Sequence, residues 1–147
     1  MDTTVIPADP AFPARPAAPA TAGRLDVAAA QSRDGVSVLA VSGELDRANV
    51  HVLIRTVDSL AARGEVKLVL DLRRLYFVDA AGLLALRDIR ALLALHHGWL
   101  CLAAVRPRVH SILARAGLDK VFTIRRTLDE AVRGEGRGHP AHVAHAA

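Results

Sequence analysis

The segment from residue 66 to residue 86 constrains the fold of this chain more than any other stretch. It begins with Val66-Lys-Leu-Val-Leu-Asp-Leu72, a nearly continuous apolar run typical of a strand that is covered on both faces. After a short connection, Asp79-Ala80-Ala81-Gly82 opens a helix, because aspartate is a preferred N-cap residue. A buried strand that leads into a capped helix predicts an α/β fold.

The same alternation of strand and helix continues on both sides of this segment. Two β-prone runs, 25–31 and 36–42, flank the turn Ser32-Arg-Asp-Gly35 and predict a hairpin. Apolar residues recur at helical spacing from Val50 to Ala61. The other expected elements are helices at 80–97 and 107–117, strands at 99–105 and 121–124, and a helical turn or two at 128–132. We therefore expect an α/β fold whose mixed, largely parallel sheet has about four or five strands, with an N-terminal antiparallel hairpin and three or four helices.

The two ends of the chain differ in composition from its middle. Residues 1–23 hold five of the seven prolines, at every third position among alanines, and we expect an extended, unpaired arm. Residues 134–147 form a Gly/His/Ala-rich tail, in which Gly134 and the glycines after it are expected to stop any helix. The folded domain is expected to span residues 24–133.

Charge and cysteine content narrow the class of protein. The net charge of +4 comes almost wholly from arginines spread singly or in pairs, which is more typical of a solvated surface than of a nucleic-acid footprint. The one cysteine, Cys101, lies in an apolar run and is expected in the core of a protein from a reducing compartment. No apolar run approaches the roughly 20 residues that span a bilayer, and no secretory signal is visible. We expect a cytoplasmic protein without membrane insertion.

Patterns for catalysis and metal binding are weak. No Ser-His-Asp ordering, P-loop, dinucleotide glycine pattern or paired-carboxylate signature stands out, so we expect a non-enzymatic protein without a cofactor. His139, His142 and His145 have a regular spacing, but their Gly/Pro/Ala context offers no scaffold to fix metal ligands. We expect no metal site.

Four short motifs carry a resemblance to a known family. They are Gly43-Glu-Leu-Asp46, Leu70-Asp-Leu72, Phe77-Val-Asp-Ala-Ala-Gly-Leu83 and Ala116-Gly-Leu-Asp119. In this order and spacing, the chain resembles STAS domains over residues 25–132, and more narrowly bacterial anti-sigma factor antagonists. The resemblance implies a regulatory binding module. Such a module binds an anti-sigma factor with an ATP-binding kinase fold and thereby releases its sigma factor.

The chain departs from that family at the helix start. Family members usually read Asp-Ser-Ser/Thr-Gly there, and the partner phosphorylates the second hydroxyl, which breaks the complex. Here Ala80 and Ala81 occupy both positions, and no Ser or Thr occurs between Ser59 and Ser111. A methyl group cannot accept a phosphoryl group. Our hypothesis is a domain fixed in its binding-competent form, with no phosphoacceptor at Ala81.

The residues that the resemblance assigns to the partner contact each have a structural alternative. The set comprises Asp46, Asp79, Ala80, Ala81, Gly82 and Leu84. Capping alone explains Asp79, close packing alone explains Gly82, and for Asp46 we slightly favour an N-cap of a helix beginning near Ala48. Leu84 also belongs to a second apolar strip on the 80–97 helix, with Ala91 and Leu95. Burial under a neighbouring helix is the favoured account of that strip, and docking is the other.

Two other functions are compatible with the sequence. STAS domains also occur as accessory subunits of lipid or anion transporters, where the hydroxyl positions vary. Direct nucleic-acid binding ranks last, because no basic helix with stacking aromatics is visible. The sequence does not decide whether the domain forms a homodimer.

Overall fold

The computed structural model describes residues 24–136. The predicted arm at 1–23, the last part of the predicted tail and its three histidines lie outside the described residues. The elements are β1 Leu25–Arg33, β2 Val36–Leu45, α1 Val50–Ala62, β3 Lys67–Asp71, β4 Leu75–Val78, α2 Ala80–Leu95, β5 Trp99–Ala103, α3 Pro107–Arg115, β6 Thr123–Arg125 and α4 Leu128–Gly136.

These strands form one mixed, six-stranded sheet. Its order is β1-β2-β3-β5-β6, and β4 pairs with β2 off this path. Only β1 and β2 are antiparallel; the β2–β3, β2–β4, β3–β5 and β5–β6 pairs of the described chain are parallel. The expected α/β class, the largely parallel sheet and the N-terminal hairpin are therefore confirmed. The hairpin turns at Asp34 and Gly35, whose φ angles of 52° and 80° suit the positive values that a type I′ turn requires.

The sixth strand, β4, is the element that the sequence did not reveal. β3 pairs with the first part of β2, and β4 then takes its place beside the last part, where Phe77 pairs with Glu44 and Val78 with Leu45. The two strands are separated by three residues, Leu72 to Arg74. As a result, β4 leads directly into the start of α2.

Two boundaries at the C-terminal side differ from the prediction. The backbone N–H groups of Val121 and Phe122 donate to the carbonyl oxygen of Leu118, so these residues form a turn and β6 starts only at Thr123. α4 is also longer than the helical turn or two expected at 128–132, since it extends to Gly136. Burial of Ala131 and Val132 against the sheet outweighs the weak helix propensity of glycine.

The sheet is covered on both faces. On one face α1, α2 and α3 pack their buried apolar residues against leucines and valines of the strands. On the other face Ala131 and Val132 of α4 pack against Val69, Cys101 and Ala103. Cys101 is fully buried, as its apolar context predicted. Alternate residues of β3 and β5 thus face opposite layers, which accounts for their continuous apolar sequences.

Candidate functional site

The start of α2 is fixed by the Asp79 carboxylate. Asp79 is the N-cap residue in an extended conformation, and its Oδ1 accepts a hydrogen bond from the Gly82 N–H at 2.9 Å. The first turn of a helix leaves N–H groups without helical partners, and this bond satisfies one of them. The predicted capping role of Asp79 is therefore confirmed.

The same carboxylate also holds the loop between β2 and α1. Its Oδ2 accepts from the Arg47 N–H at 3.2 Å, while the Asp79 N–H donates to the Leu45 carbonyl oxygen at 3.1 Å. Because β2 and β4 are parallel neighbours, their carboxyl ends meet at one edge of the sheet. Asp79 joins the two segments that leave this edge into a single surface.

Asp46 lies in the joined loop, but it is not the cap that we favoured. α1 begins at Val50 with Asn49 as its N-cap residue, two residues later than predicted. The Asp46 Oδ1 instead accepts from the Ala48 N–H at 2.9 Å, and Asn49 Oδ1 accepts from the Asp46 N–H at 2.8 Å. Asp46 and Asn49 are both good cap formers, and the pair closes a tight turn before the helix starts. The Asp46 side chain is half-buried there.

Gly82 is buried beneath this surface. A Cβ atom at this position would lie 2.6 Å from Val78 Cγ2 and 2.8 Å from the Leu45 carbonyl oxygen, closer than atoms tolerate. The missing side chain therefore lets α2 lie close to the ends of β2 and β4. Gly82 positions the surface, and its neighbours Ala80 and Leu84 are exposed, while Ala81 is half-buried.

The second apolar strip of α2 is exposed, so the favoured prediction of burial under another helix is wrong. Leu84 is 52% exposed and Leu95 is 77% exposed, and Ala91 between them is also exposed. The buried stripe of α2 is formed by Leu86, Ile89 and Leu93. At about 100° per residue, each strip residue is rotated roughly 200° from a buried one two positions away. One face of α2 contacts the core, and the strip lies opposite.

Two kinds of feature do not occur among the described residues: a cluster of metal ligands and a helix that could span a membrane. Within residues 24–136 no group of three or more His, Cys, Asp or Glu side chains is placed to hold a metal ion. None of the helices in the same range is both long and apolar enough to cross a bilayer. At the α2 start the side chains of Ala80 and Ala81 are methyl groups. They have no hydroxyl oxygen that could accept a phosphoryl group.

Comparison with known proteins connects this fold to a family. The family model described as the STAS domain matches residues 27–131. A Bordetella bronchiseptica protein named as an anti-sigma factor antagonist, BtrV, is 26% identical over 98 residues, which cover 67% of this chain and 84% of the relative. The anti-sigma F factor antagonist of Paenibacillus polymyxa is 31% identical over 91 residues, covering 61% and 78%.

Solved structures support the same assignment. An anti-sigma factor antagonist from Mycobacterium paratuberculosis superposes with a TM-score of 0.67 at 30% identity, covering 76% of this chain and 93% of that structure. The murine anion transporter Slc26a9 shares the fold, with a TM-score of 0.63 at 20% identity, over 74% of this chain and 19% of the transporter. The match of the family model to most of the chain shows that this protein belongs to the STAS domain family.

Proposed function

We propose that the protein is a cytoplasmic anti-sigma factor antagonist that phosphorylation does not switch at the start of α2. It binds an anti-sigma factor of the ATP-binding kinase fold and thereby releases the sigma factor that this partner holds. Two relatives that carry the name of anti-sigma factor antagonist support this proposal. The protein acts by binding and catalyses no reaction.

The observation that carries the proposal is the double use of the Asp79 carboxylate. One oxygen accepts from the first turn of α2 and the other from the β2–α1 loop, so a single side chain links the two segments before a partner binds. The docking surface, as we define it, consists of Asp46, Asp79, Ala80, Ala81 and Leu84, with Gly82 beneath it. A surface that is already ordered loses little conformational entropy when it binds.

The chemistry of the docking surface suits close contact rather than modification. Ala80 and Ala81 have small side chains, so a partner backbone can approach the helix start closely, and Leu84 adds exposed apolar area one turn later. A phosphate at residue 81 would add about −1.5 to −2 charges next to Asp79 and repel an acidic or apolar partner. With alanine there, the anti-sigma kinase has no hydroxyl to modify at this point.

A pair of matched substitutions on α2 tests where the partner binds. Ala81→Asp and Ala94→Asp each place one carboxylate on the same helix, the first inside the docking surface and the second at an exposed position outside both that surface and the apolar strip. We expect Ala81→Asp to weaken binding at least about tenfold, because the added charge at the contact must be desolvated. Titration calorimetry against each purified anti-sigma kinase of the source organism measures both variants and the unsubstituted chain.

A loss of binding in Ala81→Asp is not expected to result from unfolding. An acidic residue in the first turn of a helix interacts favourably with the helix dipole, by about 0.3–1 kcal/mol, so Ala81→Asp should fold at least as well as the original. Equal affinities for the two variants would contradict the proposed docking surface. Failure of the unsubstituted chain to bind any of the kinases would contradict the proposed function.

The transporter alternative makes a different prediction for the native partner. The likeness to Slc26a9 shows a shared fold, and in these folds function depends on the residues of the binding surface. Affinity capture of partners from lysates of the source organism, with the full chain as bait, distinguishes the antagonist function from the transporter function. Recovery of an anti-sigma kinase supports the proposal, and recovery of a permease or a transporter ATPase contradicts it.

A further inference from the structure

Two pairs of arginines from separate parts of the sequence lie at the carboxyl ends of β3 and β5. Arg73 and Arg74 lie between β3 and β4, and Arg106 and Arg108 lie at the start of α3; all four are exposed. Arg106 Nη1 donates to the carbonyl oxygen of Arg73 at 3.0 Å, across 33 residues of chain. These four residues, together with Tyr76, are called the arginine surface below.

Two of the guanidinium groups are stacked on aromatic rings. The Cζ atom of Arg106 lies 4.4 Å from the ring centre of Tyr76, and that of Arg108 lies 5.6 Å from the ring centre of Phe77. Both distances fall within the roughly 6 Å over which a cation and an aromatic face attract each other. The stacking restricts these long side chains, so their donors are partly oriented before any partner arrives.

The positive charge of this surface is only partly compensated. Asp71 is buried, and its carboxylate accepts three hydrogen bonds from the Arg73 guanidinium at 2.8 to 3.2 Å. These bonds and the charge of Asp71 raise the pKa of Arg73 above its ordinary value. Arg74, Arg106 and Arg108 form no ion pair with any residue in the described range. The arginine surface therefore has an excess of positive charge.

The arginine surface lies next to the docking surface. Tyr76 and Phe77 belong to β4, the strand that leads into Asp79. At about 3.3 Å per residue, Tyr76 lies roughly 10 Å from Asp79 along the chain. One edge of the molecule thus carries two half-buried carboxylates and two alanine methyl groups at the α2 start, with exposed guanidinium groups beside them.

We infer that the arginine surface binds a carboxylate-rich patch on the same anti-sigma factor that contacts the α2 start, and that it accelerates the encounter. This inference rests on the proposed function. Exposed charges at the rim of an interface act mainly on the association rate, because they attract the partner before the contact forms. A nucleic acid fits less well, since single-strand binding uses several aromatic rings for successive bases, whereas Tyr76 is the one exposed aromatic ring among the described residues and Arg106 covers one of its faces.

Association kinetics with a charge-matched control test this inference. Arg74→Gln combined with Arg108→Gln removes two charges from the patch and leaves the contact between Arg106 and Arg73 in place. Arg115→Gln combined with Lys120→Gln removes two exposed charges at and beyond the opposite end of α3. Circular dichroism and thermal melting check that both double variants fold. Stopped-flow mixing with the anti-sigma kinase that binds the unsubstituted chain gives the association and dissociation rates.

We expect the first double variant to associate about fivefold to tenfold more slowly at low salt, with a nearly unchanged dissociation rate, and the control to match the unsubstituted chain. The difference should disappear near 0.5 M salt, where the screening length falls to a few ångströms, about 4 Å. Equal association rates for the two double variants would overturn the inference while leaving the proposed function intact.

Two further outcomes have distinct meanings. If the unsubstituted chain binds no anti-sigma kinase, the proposed function fails and the inference fails with it. The second outcome concerns nucleic acid, and it is tested with a single-stranded oligonucleotide of about 20 nucleotides. If the oligonucleotide binds through its phosphates, its affinity should fall steeply as the salt concentration rises. Submicromolar binding of that probe, lost only in the Arg74→Gln/Arg108→Gln variant, would assign the patch to nucleic acid and overturn the inference.

Discussion

Two of the helices that start at the carboxyl edge of the sheet, α2 and α3, are held in different ways. α2 follows β4 and is capped by the Asp79 side chain, which satisfies the Gly82 N–H and reaches the β2–α1 loop as well. α3 follows β5 without any side-chain cap; Arg106 occupies its N-cap position and Pro107 begins its first turn. Proline fixes φ near the helical value and has no N–H that would need a partner.

The difference shows how one edge produces two unlike surfaces. The negative charge of Asp79 interacts favourably with the positive end of the α2 dipole. Arg106 and Arg108 instead place positive charges at the positive end of the α3 dipole, which costs roughly 0.3–1 kcal/mol each. Stacking on Tyr76 and Phe77 and the bond to the Arg73 carbonyl oxygen offset this cost. Residues that contradict a local preference in this way are typical of binding surfaces.

The largest effect is expected from Gly82→Ala. The new methyl group would collide with Val78 Cγ2 and the Leu45 carbonyl oxygen, and overpacking of this kind costs about 1–3 kcal/mol. Gly134→Ala in α4 is the control, because its Cβ would lie 3.6 Å from the Arg125 side chain, an ordinary contact, and alanine favours a helix by roughly 0.5–1 kcal/mol. Urea unfolding should show opposite signs for the two substitutions. Equal effects would mean that α2 does not lie as close to β2 as the structure shows.

A smaller loss is expected when the α2 cap is removed. Asp79→Ala deletes the acceptor for Gly82 and for Arg47, and loss of a cap costs about 0.5–2 kcal/mol. Asp79→Asn keeps an acceptor oxygen and should retain most of the stability. Thermal unfolding of the two variants compares the hydrogen bonds with the charge; an asparagine variant as unstable as the alanine variant would show that the charge matters more.

The smallest effect is expected at the start of α3. Pro107→Ala leaves the helix intact, and its cost of about 0.4–1 kcal/mol arises from the greater freedom of the unfolded chain. The free energy of unfolding in urea should therefore fall less than it does for Asp79→Ala. A larger fall would contradict the view that α3 starts without a critical side-chain contact.

Features that depend on neighbours in the sequence were predictable, and features that depend on distant contacts were not. The Asp79 cap, the Asp34-Gly35 turn and the start of α3 at Pro107 follow from local preferences of single residues. Strand β4 has no clear signal in the sequence because it has only four residues and Tyr76 is exposed within it. Asp46 does not cap α1 because its carboxylate accepts from the Ala48 N–H in a turn that comes before the helix, and this turn depends on the contacts of Asn49 with Asp46 and Glu44.

The surfaces show the same contrast. Periodicity separated the buried stripe of α2 from the strip of Leu84, Ala91 and Leu95, but could not tell whether a neighbour covers that strip. The arginines appeared scattered because Arg73 and Arg106 are 33 residues apart, and only the parallel pairing of β3 with β5 brings them together. Surface charge clusters of this kind depend on topology.

The central claim is that the docking surface has no group that the partner can phosphorylate. The most direct test incubates the protein with its anti-sigma kinase and magnesium ATP, and then measures intact mass and binding affinity. Ala81→Ser supplies the missing hydroxyl and serves as the positive control, which should gain one phosphoryl group and lose affinity. We predict that the unsubstituted chain keeps both its mass and its affinity; a gain of one phosphoryl group at any residue, accompanied by loss of binding, would contradict the account.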